Sequence, residues 1–263
     1  MWCEFYTIQP FLLSGKIFMK QQQKRTCICL AGISFNYIFR HSETQKYFEK
    51  FICKEASDGE LLAVTDDLWE RHRNVAEASI SDSYTEFYAL LGITSRALLK
   101  YGKCLFHGVA FLWREKAWII TAPSGTGKTT QFRLWEKLFG DEIELINGDK
   151  PIIECREDES VWIYPSPWNG KENLSGTKTG KLAGIIYLEQ SDRNEISRMD
   201  IRSSMIPIYR QFLYYGDYEE EIRAVGHMED VILRNIPIWK LCNLGDEASA
   251  ELTHNTLRQY LEV

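Results

Sequence analysis

The chain has no Cys-x-x-Cys pair, no apolar run of membrane-spanning length, no basic excess, no internal repeat and no low-complexity linker. Each absence removes a class. A membrane span needs roughly 18 apolar residues in succession, so no membrane partner is expected. A net charge of −6 offers nucleic acid no electrostatic footing. Seven cysteines without metal-site spacing read as reduced thiols, which suits a cytoplasmic protein. Cys27 and Cys29 alternate with apolar residues and are expected to be buried on one strand face. Residues 1–18 hold Glu4, Pro10 and only Phe11-Leu12-Leu13 as an apolar core, a poor signal peptide. They are expected to be an upstream extension outside the folded unit, ahead of a natural start at Met19.

What is present is ordinary globular material. The 263 residues are 44% apolar and 26% charged, enough for one large domain, or one with a small appendage. The acidic cluster at 217–221 reads as a solvated helix start.

The most informative stretch is Ala122-Pro123-Ser124-Gly125-Thr126-Gly127-Lys128-Thr129-Thr130. It follows Ala117-Trp118-Ile119-Ile120-Thr121, a strand by composition. It precedes a run in which Phe132, Trp135 and Phe139 recur at helical spacing and Gly140 supplies the stop. Strand, Gly-Lys-Thr loop and helix are the context a phosphate loop requires. Gly125 and Gly127 let successive N–H groups turn inward, and the helix start adds positive potential. Lys128 is placed to reach the β- and γ-phosphates, and the Thr129 hydroxyl to ligate Mg²⁺. Ser124, Thr126 and Thr130 complete the expected nucleotide contacts. Ala122 stands where the usual motif begins with glycine. An ordinary glycine-rich turn is the plainer alternative.

The rest of the chain reads as follows. Residues 26–40 form a strand or hairpin about Ala31-Gly32, then come a short helix and a strand near Leu61. Ser83-x-x-Glu86 reads as a capping box opening a scaffold helix that Gly102 ends. Two apolar runs, 105–113 and 116–121, read as a hairpin feeding the loop, with His107-Gly108 at its start. After the loop helix, Ile143-Glu144-Leu145-Ile146 reads as a buried strand leading to Asn147-Gly148-Asp149-Lys150-Pro151. A carboxylate there can supply a second Mg²⁺ contact, which makes Asp149 the candidate; a turn aspartate before proline is the alternative. A second hairpin, 152–155 with 161–164, exits into Pro165-Ser166-Pro167-Trp168-Asn169-Gly170-Lys171. That loop is either a surface excursion or a substrate-facing lid, with Trp168 either at the ligand or plugging the core. A strand at 183–188, helices near 201–214 and 217–233, a strand at 238–242 and a helix from about Asp246 close the chain.

Taken together, Phe106-His107-Gly108, the 122–129 loop, Phe132-Arg133-Leu134-Trp135, the 147–151 block and the 165–171 block resemble a known group. The chain resembles the bacterial HPr kinase/phosphorylase family and its smaller relatives, within the PEP carboxykinase-like superfamily. The resemblance implies an α/β nucleotide-binding fold over about 81–263, with a small N-terminal α+β subdomain at 19–80. It implies ATP and Mg²⁺ as cofactors and phosphorylation of a serine or threonine hydroxyl on a protein or peptide; some relatives act on precursor peptides. Carried over residue by residue, Lys128 and Thr129 meet phosphate and Mg²⁺, Asp149 is the second aspartate of a pair, and His107 supports it. The first aspartate of that pair, expected as general base, is Gly148 here. Asp149 then serves both roles, or His107 takes the proton, or the domain binds nucleotide without transfer. Lys171 is expected to face the γ-phosphate side. The segment that recognises HPr is missing, so HPr is not the expected substrate. A nucleotide-dependent peptide-binding module and a small-molecule kinase are the other readings, and a homo-oligomer stays open.

Overall fold

The structure, a computed structural model, describes residues 24–55, 58–170 and 172–261. Residues 1–18 and Lys171 therefore lie outside the described residues. The chain opens with the hairpin β1 (Thr26–Leu30) and β2 (Ile33–Ile38), turned by Ala31 at φ 48° and Gly32 at φ 81°. Two successive positive-φ residues match the twist of a tight hairpin. β3 (Leu61–Ala63) joins β2 in parallel after the short helix α1 (Ser42–Lys46). Ile28 and Leu30 are the buried face of β1; Cys29 is exposed and Cys27 only half-buried. The expectation of buried thiols is therefore corrected: the alternation holds, but its apolar phase turns inward.

Helix α2 (Asp66–Val75) leads to α3 (Asp82–Leu99). Ser81, not Ser83, caps α3, its hydroxyl accepting from Tyr84 N at 3.3 Å. Glu86 does not reach back to the cap. Its buried carboxylate accepts from Arg40 N at 2.5 Å, His41 N at 3.0 Å and the Thr44 hydroxyl at 2.6 Å, and so holds the entry of α1. A fully buried carboxylate needs such charge-assisted partners.

The large mixed sheet has ten strands in the described residues. β4 (Lys103–Phe106) pairs with β8 (Ile152–Cys155), which pairs with β9 (Val161–Tyr164). β5 (Val109–Trp113) and β6 (Lys116–Thr121) form the expected hairpin, but β4 belongs to a different ladder, so the 105–113 run breaks at His107-Gly108. β7 (Ile143–Asn147) ends the row of strands beside β5, bridged on its outer side by Ser175, and is half-exposed, not the buried strand anticipated. β10 (Gly180–Gln190) joins the halves: its first residues pair antiparallel with β9, its later ones parallel with β6 and with β13 (Ile238–Asn243). β11 (Glu195–Arg198) covers β13.

Helix α4 (Lys128–Phe139) stops at Gly140 as expected, which caps it in right-handed φ and opens a 3-10 turn. α5 (Ile201–Tyr209) ends earlier than the 201–214 expectation, because Phe212 and Leu213 form β12 against β4. α6 (Glu219–Asn235) and α7 (Glu247–Leu257, capped by Asp246) complete the chain. The acidic 217–221 cluster is partly turned inward, since Asp217 and Glu221 both ion-pair with Arg96. No helix among the described residues is long and apolar enough to cross a membrane. One core packs α5 and α6 on the sheet, and a second packs α4 and α7 with Trp113, Trp118 and Trp135. A third joins the first hairpin to α3, Ile152 and Trp168.

Candidate functional site

β6 runs parallel to β10, with Thr121 opposite Tyr187, and the 122–127 loop leaves from its C-terminal end. Open α/β sheets place ligand sites at such ends. Gly125 sits at φ 79° and Gly127, the N-cap of α4, at φ 105°. A Cβ on Gly125 would meet nothing, so the backbone conformation and not lack of space calls for glycine there. Thr126 ties the loop to itself, its hydroxyl donating to Pro123 O at 2.9 Å. Lys128 is 8% exposed, and its ammonium donates to Ala122 O at 3.0 Å and Pro123 O at 3.1 Å. The loop thus wraps its own lysine. Ser124, Gly125 and Thr130 are exposed and Thr129 is half-buried.

His107 and Asp149 approach from neighbouring segments. His107 N donates to Gln211 O and Gly108 N to Asp149 O, both at 2.8 Å. The Thr121 hydroxyl donates to His107 O at 2.6 Å, which ties the histidine to the end of β6. Asp149 is set by buried Asn147, whose side-chain oxygen accepts from Asp149 N at 3.0 Å and Lys150 N at 2.7 Å. The Asn147 amide in turn donates to Ser166 O at 3.0 Å. His107 Nε2 lies 3.6 Å from Asp149 Oδ1, beyond hydrogen-bond length. Asp149 Oδ2 is ion-paired with Lys150, whose ammonium also lies 5.6 Å from the Tyr88 ring centroid. Burial first, then the nearby Lys128 charge, pushes the His107 imidazole down to about 4 against the opposing pull of Asp149. The ring is therefore neutral near pH 7.

Gly170 reaches Asp149, but Trp168 turns away from the site into the core. That indole is 1% exposed, stacks on Phe87 at 5.5 Å, meets Phe48 edge-on and donates to Phe87 O at 2.9 Å. Trp168 is corrected from ligand-facing candidate to core plug, because α3 offers both an aromatic face and a carbonyl acceptor. Gly170, at φ 82°, packs on Asp149: a Cβ there would lie 3.1 Å from Asp149 Cβ. Gly148 is equally confined. A Cβ on it would stand 2.7 Å from Leu174 Cβ and 3.0 Å from Asn169 O. The position where the resemblance expects an aspartate has no room for a side chain.

His107, Ser124, Thr129 and Asp149 line one groove of ≈ 1720 Å³ that runs from the Gly-Lys loop along α3 towards α2. Small-ligand pockets span roughly 300–1,000 Å³, so this groove exceeds what a nucleotide alone fills. Its walls include Lys150, Tyr88, Tyr187, Arg210 and Gln211. Gln211 is buried; its side-chain amide donates to Pro207 O at 2.9 Å and its backbone carbonyl accepts from His107 N. Only the Lys150 neighbour of Asp149 carried any sequence signal. Among the described residues no three His, Cys, Asp or Glu side chains cluster as a self-sufficient metal site. One hydroxyl and one carboxylate, both hard oxygen donors, fit Mg²⁺ held mainly by nucleotide phosphates and water.

No protein-family model matches the chain, and no curated protein matches it. Among solved structures it is similar to the Hpr(Ser) kinase/phosphatase from Coxiella burnetii, at 12% identity and a TM-score of 0.34. That match covers 60% of this chain and 99% of the other. An identity and score that low assign no activity, substrate or site to this chain.

Proposed function

We propose that the protein is an ATP- and Mg²⁺-dependent kinase, with a PEP carboxykinase-like nucleotide-binding fold, that phosphorylates a serine or threonine hydroxyl of a protein or peptide. The observation that carries the reading is a shared groove. Pro123, Ser124 and Thr129 of the strand–loop–helix line the same cleft as the His107–Asp149 pair, and Lys128 lies within the loop that they belong to. In this reading the 124–130 loop and Lys128 hold the β- and γ-phosphates, and Lys128 exchanges its loop carbonyls for phosphate oxygens. Thr129 and Asp149 hold Mg²⁺. Bound Mg²⁺ supplies charge neutralisation on the transferring phosphoryl group.

Asp149 accepts the acceptor hydroxyl's proton as the new P–O bond forms and the bond to ADP breaks. Neutral His107 and Gln211 fix where that carboxylate sits. Lys150 is the counter-charge that Asp149 holds until ligand arrives. Because phosphoryl transfer needs little covalent help, positioning and electrostatics supply most of the rate, and a weak base suffices. Lys171, beside Gly170, is proposed as a γ-phosphate-side contact.

A second reading is favoured by one observation. With Gly148 beside it, Asp149 is the one carboxylate next to His107 among the described residues, and it is already ion-paired to Lys150. On that reading the domain binds nucleotide and a peptide without transfer. One experiment separates them. With Mg²⁺ and γ-labelled ATP, the kinase reading expects label on a cellular protein or free phosphate, lost in Lys128→Ala and Asp149→Asn. Lys128→Ala also weakens ATP binding by about ten- to a hundredfold, since a charge-assisted contact contributes roughly 1.5–3 kcal/mol. ATP binding with no transfer from the wild type selects the second reading; undiminished ATP binding by Lys128→Ala overturns both.

A further inference from the structure

The kinase reading leaves the acceptor unnamed, and the edge of the groove narrows its chemistry. Helix α5 exposes three large aliphatic side chains within six residues: Ile201 at 55%, Met205 at 48% and Ile206 at 64%. Scattered exposed aliphatics need no explanation, but three on one short helix form a patch. Ile206 and Arg210 also line the groove that holds Asp149 and Thr129, so the patch is continuous with the candidate site. Arg202, Ile206 and Arg210 stand four residues apart and share one helix face. Neither arginine has an ion pair in the described residues, a property shared with Arg25, Arg198 and Arg258, whereas Arg96, Arg133, Arg156, Arg193, Arg223 and Arg234 are all paired. The one acid at this helix, Asp200, is occupied at the N-cap, accepting from Ser203 N at 2.7 Å. In a chain of net charge −6, an unpaired basic and aliphatic stripe is a local reversal of sign.

Resting on the kinase reading above, we propose that the α5 stripe docks the acceptor, and that the acceptor is a peptide segment in which acidic residues flank aliphatic ones near the target hydroxyl. Its aliphatic side chains sit against Ile201, Met205 and Ile206. Its carboxylates meet Arg202 and Arg210, and its hydroxyl is delivered along the groove to Asp149. Charge complementarity selects this occupant over a basic or neutral one.

The test uses the full chain and two fluorescent probes: a serine-containing peptide of alternating leucine and glutamate, and the same peptide with lysine for glutamate. Anisotropy, with ADP and Mg²⁺ present, is expected to show the acidic peptide binding more tightly. Arg202→Glu should weaken the acidic peptide about fivefold, the ceiling for one solvent-exposed ion pair, and strengthen the lysine peptide. Met205→Asp should weaken the acidic peptide further. Both variants should keep wild-type ATP affinity by calorimetry and wild-type melting, because both side chains are solvent-exposed. Equal affinity for the two peptides, or an acidic-peptide affinity unmoved by Arg202→Glu, overturns the proposal. So does binding of the stripe to phosphatidylserine vesicles but to neither peptide. Failure of the wild type to bind ATP would instead sink the kinase reading, and that is read independently of either peptide.

Discussion

Gly148→Asp is the substitution that the resemblance invites and the contacts forbid. It restores the missing carboxylate on paper. In the fold, the new Cβ would stand 2.7 Å from Leu174 Cβ and 3.0 Å from the carbonyl oxygens of Asn169 and Leu174. Two of those neighbours are backbone, and Gly148 N itself donates to Leu174 O at 2.8 Å, so the segment cannot yield without losing that bond. Gly148 is not among the positive-φ glycines, so the obstacle is contact and not backbone conformation. Overpacking of this kind costs about 1–3 kcal/mol, while replacing a glycine returns roughly 0.4–1 kcal/mol through the unfolded chain. The net is about 1–2 kcal/mol, or a fall in Tm of roughly 2–8 °C at this chain length. Gly148→Ala should fall by a similar amount, since the clash begins at Cβ. Thermal melts of the two variants, with phosphoryl transfer measured alongside, check this. A Gly148→Asp protein that melts like the wild type and transfers phosphate faster would refute the steric account.

Two further outcomes follow from burial. Trp168→Ala should lose about 3–5 kcal/mol in urea unfolding, the usual cost of emptying a buried aromatic site; a loss under about 1 kcal/mol would return the indole to the ligand side. Burial, with Asp230 beside it, pushes the Glu229 carboxyl up to about 7, above its unfolded value of 4.5. The fold therefore favours the protonated form, and stability is lost as pH rises from 4.5 through 7. Glu229→Gln should raise Tm more at pH 8 than at pH 5, and an equal gain at both would contradict the assignment.

What could be read in the chain was local. Gly125, Gly127 and Lys128 sit between an apolar strand and an amphipathic helix, so the turn is recoverable from neighbours. The Ala31-Gly32 hairpin and the Asp246 cap are legible for the same reason. What escaped depended on distant partners. Nothing beside Trp168 announces that Phe48 and Phe87 will enclose it. Ser83-x-x-Glu86 satisfies a capping pattern by spacing, yet Glu86 serves amides more than forty residues away. The helix expected to run through 214 ends at Tyr209, because Phe212 and Leu213 gain a ladder with β4, and that ending brings Arg210 and Gln211 to the groove. Gly148 was legible as a departure, but its cause lies in Leu174.

β10 belongs to three ladders, antiparallel to β9 at Gly180 and Lys181 and parallel to β6 and β13 beyond. A strand shared in this way works as a rail: β6 and β13 are held to one another along its length, and the two halves of the sheet meet where its register shifts between Leu182 and Gly184. Movement between the halves would have to bend β10 there, while the short segments about the site can shift without disturbing a ladder. The Gly-Lys loop can release its lysine, and the 214–218 stretch can reseat on α3. Fluorophores attached to β6 and β13, on either side of β10, should keep their separation when nucleotide binds, while one placed in the Gly-Lys loop should move.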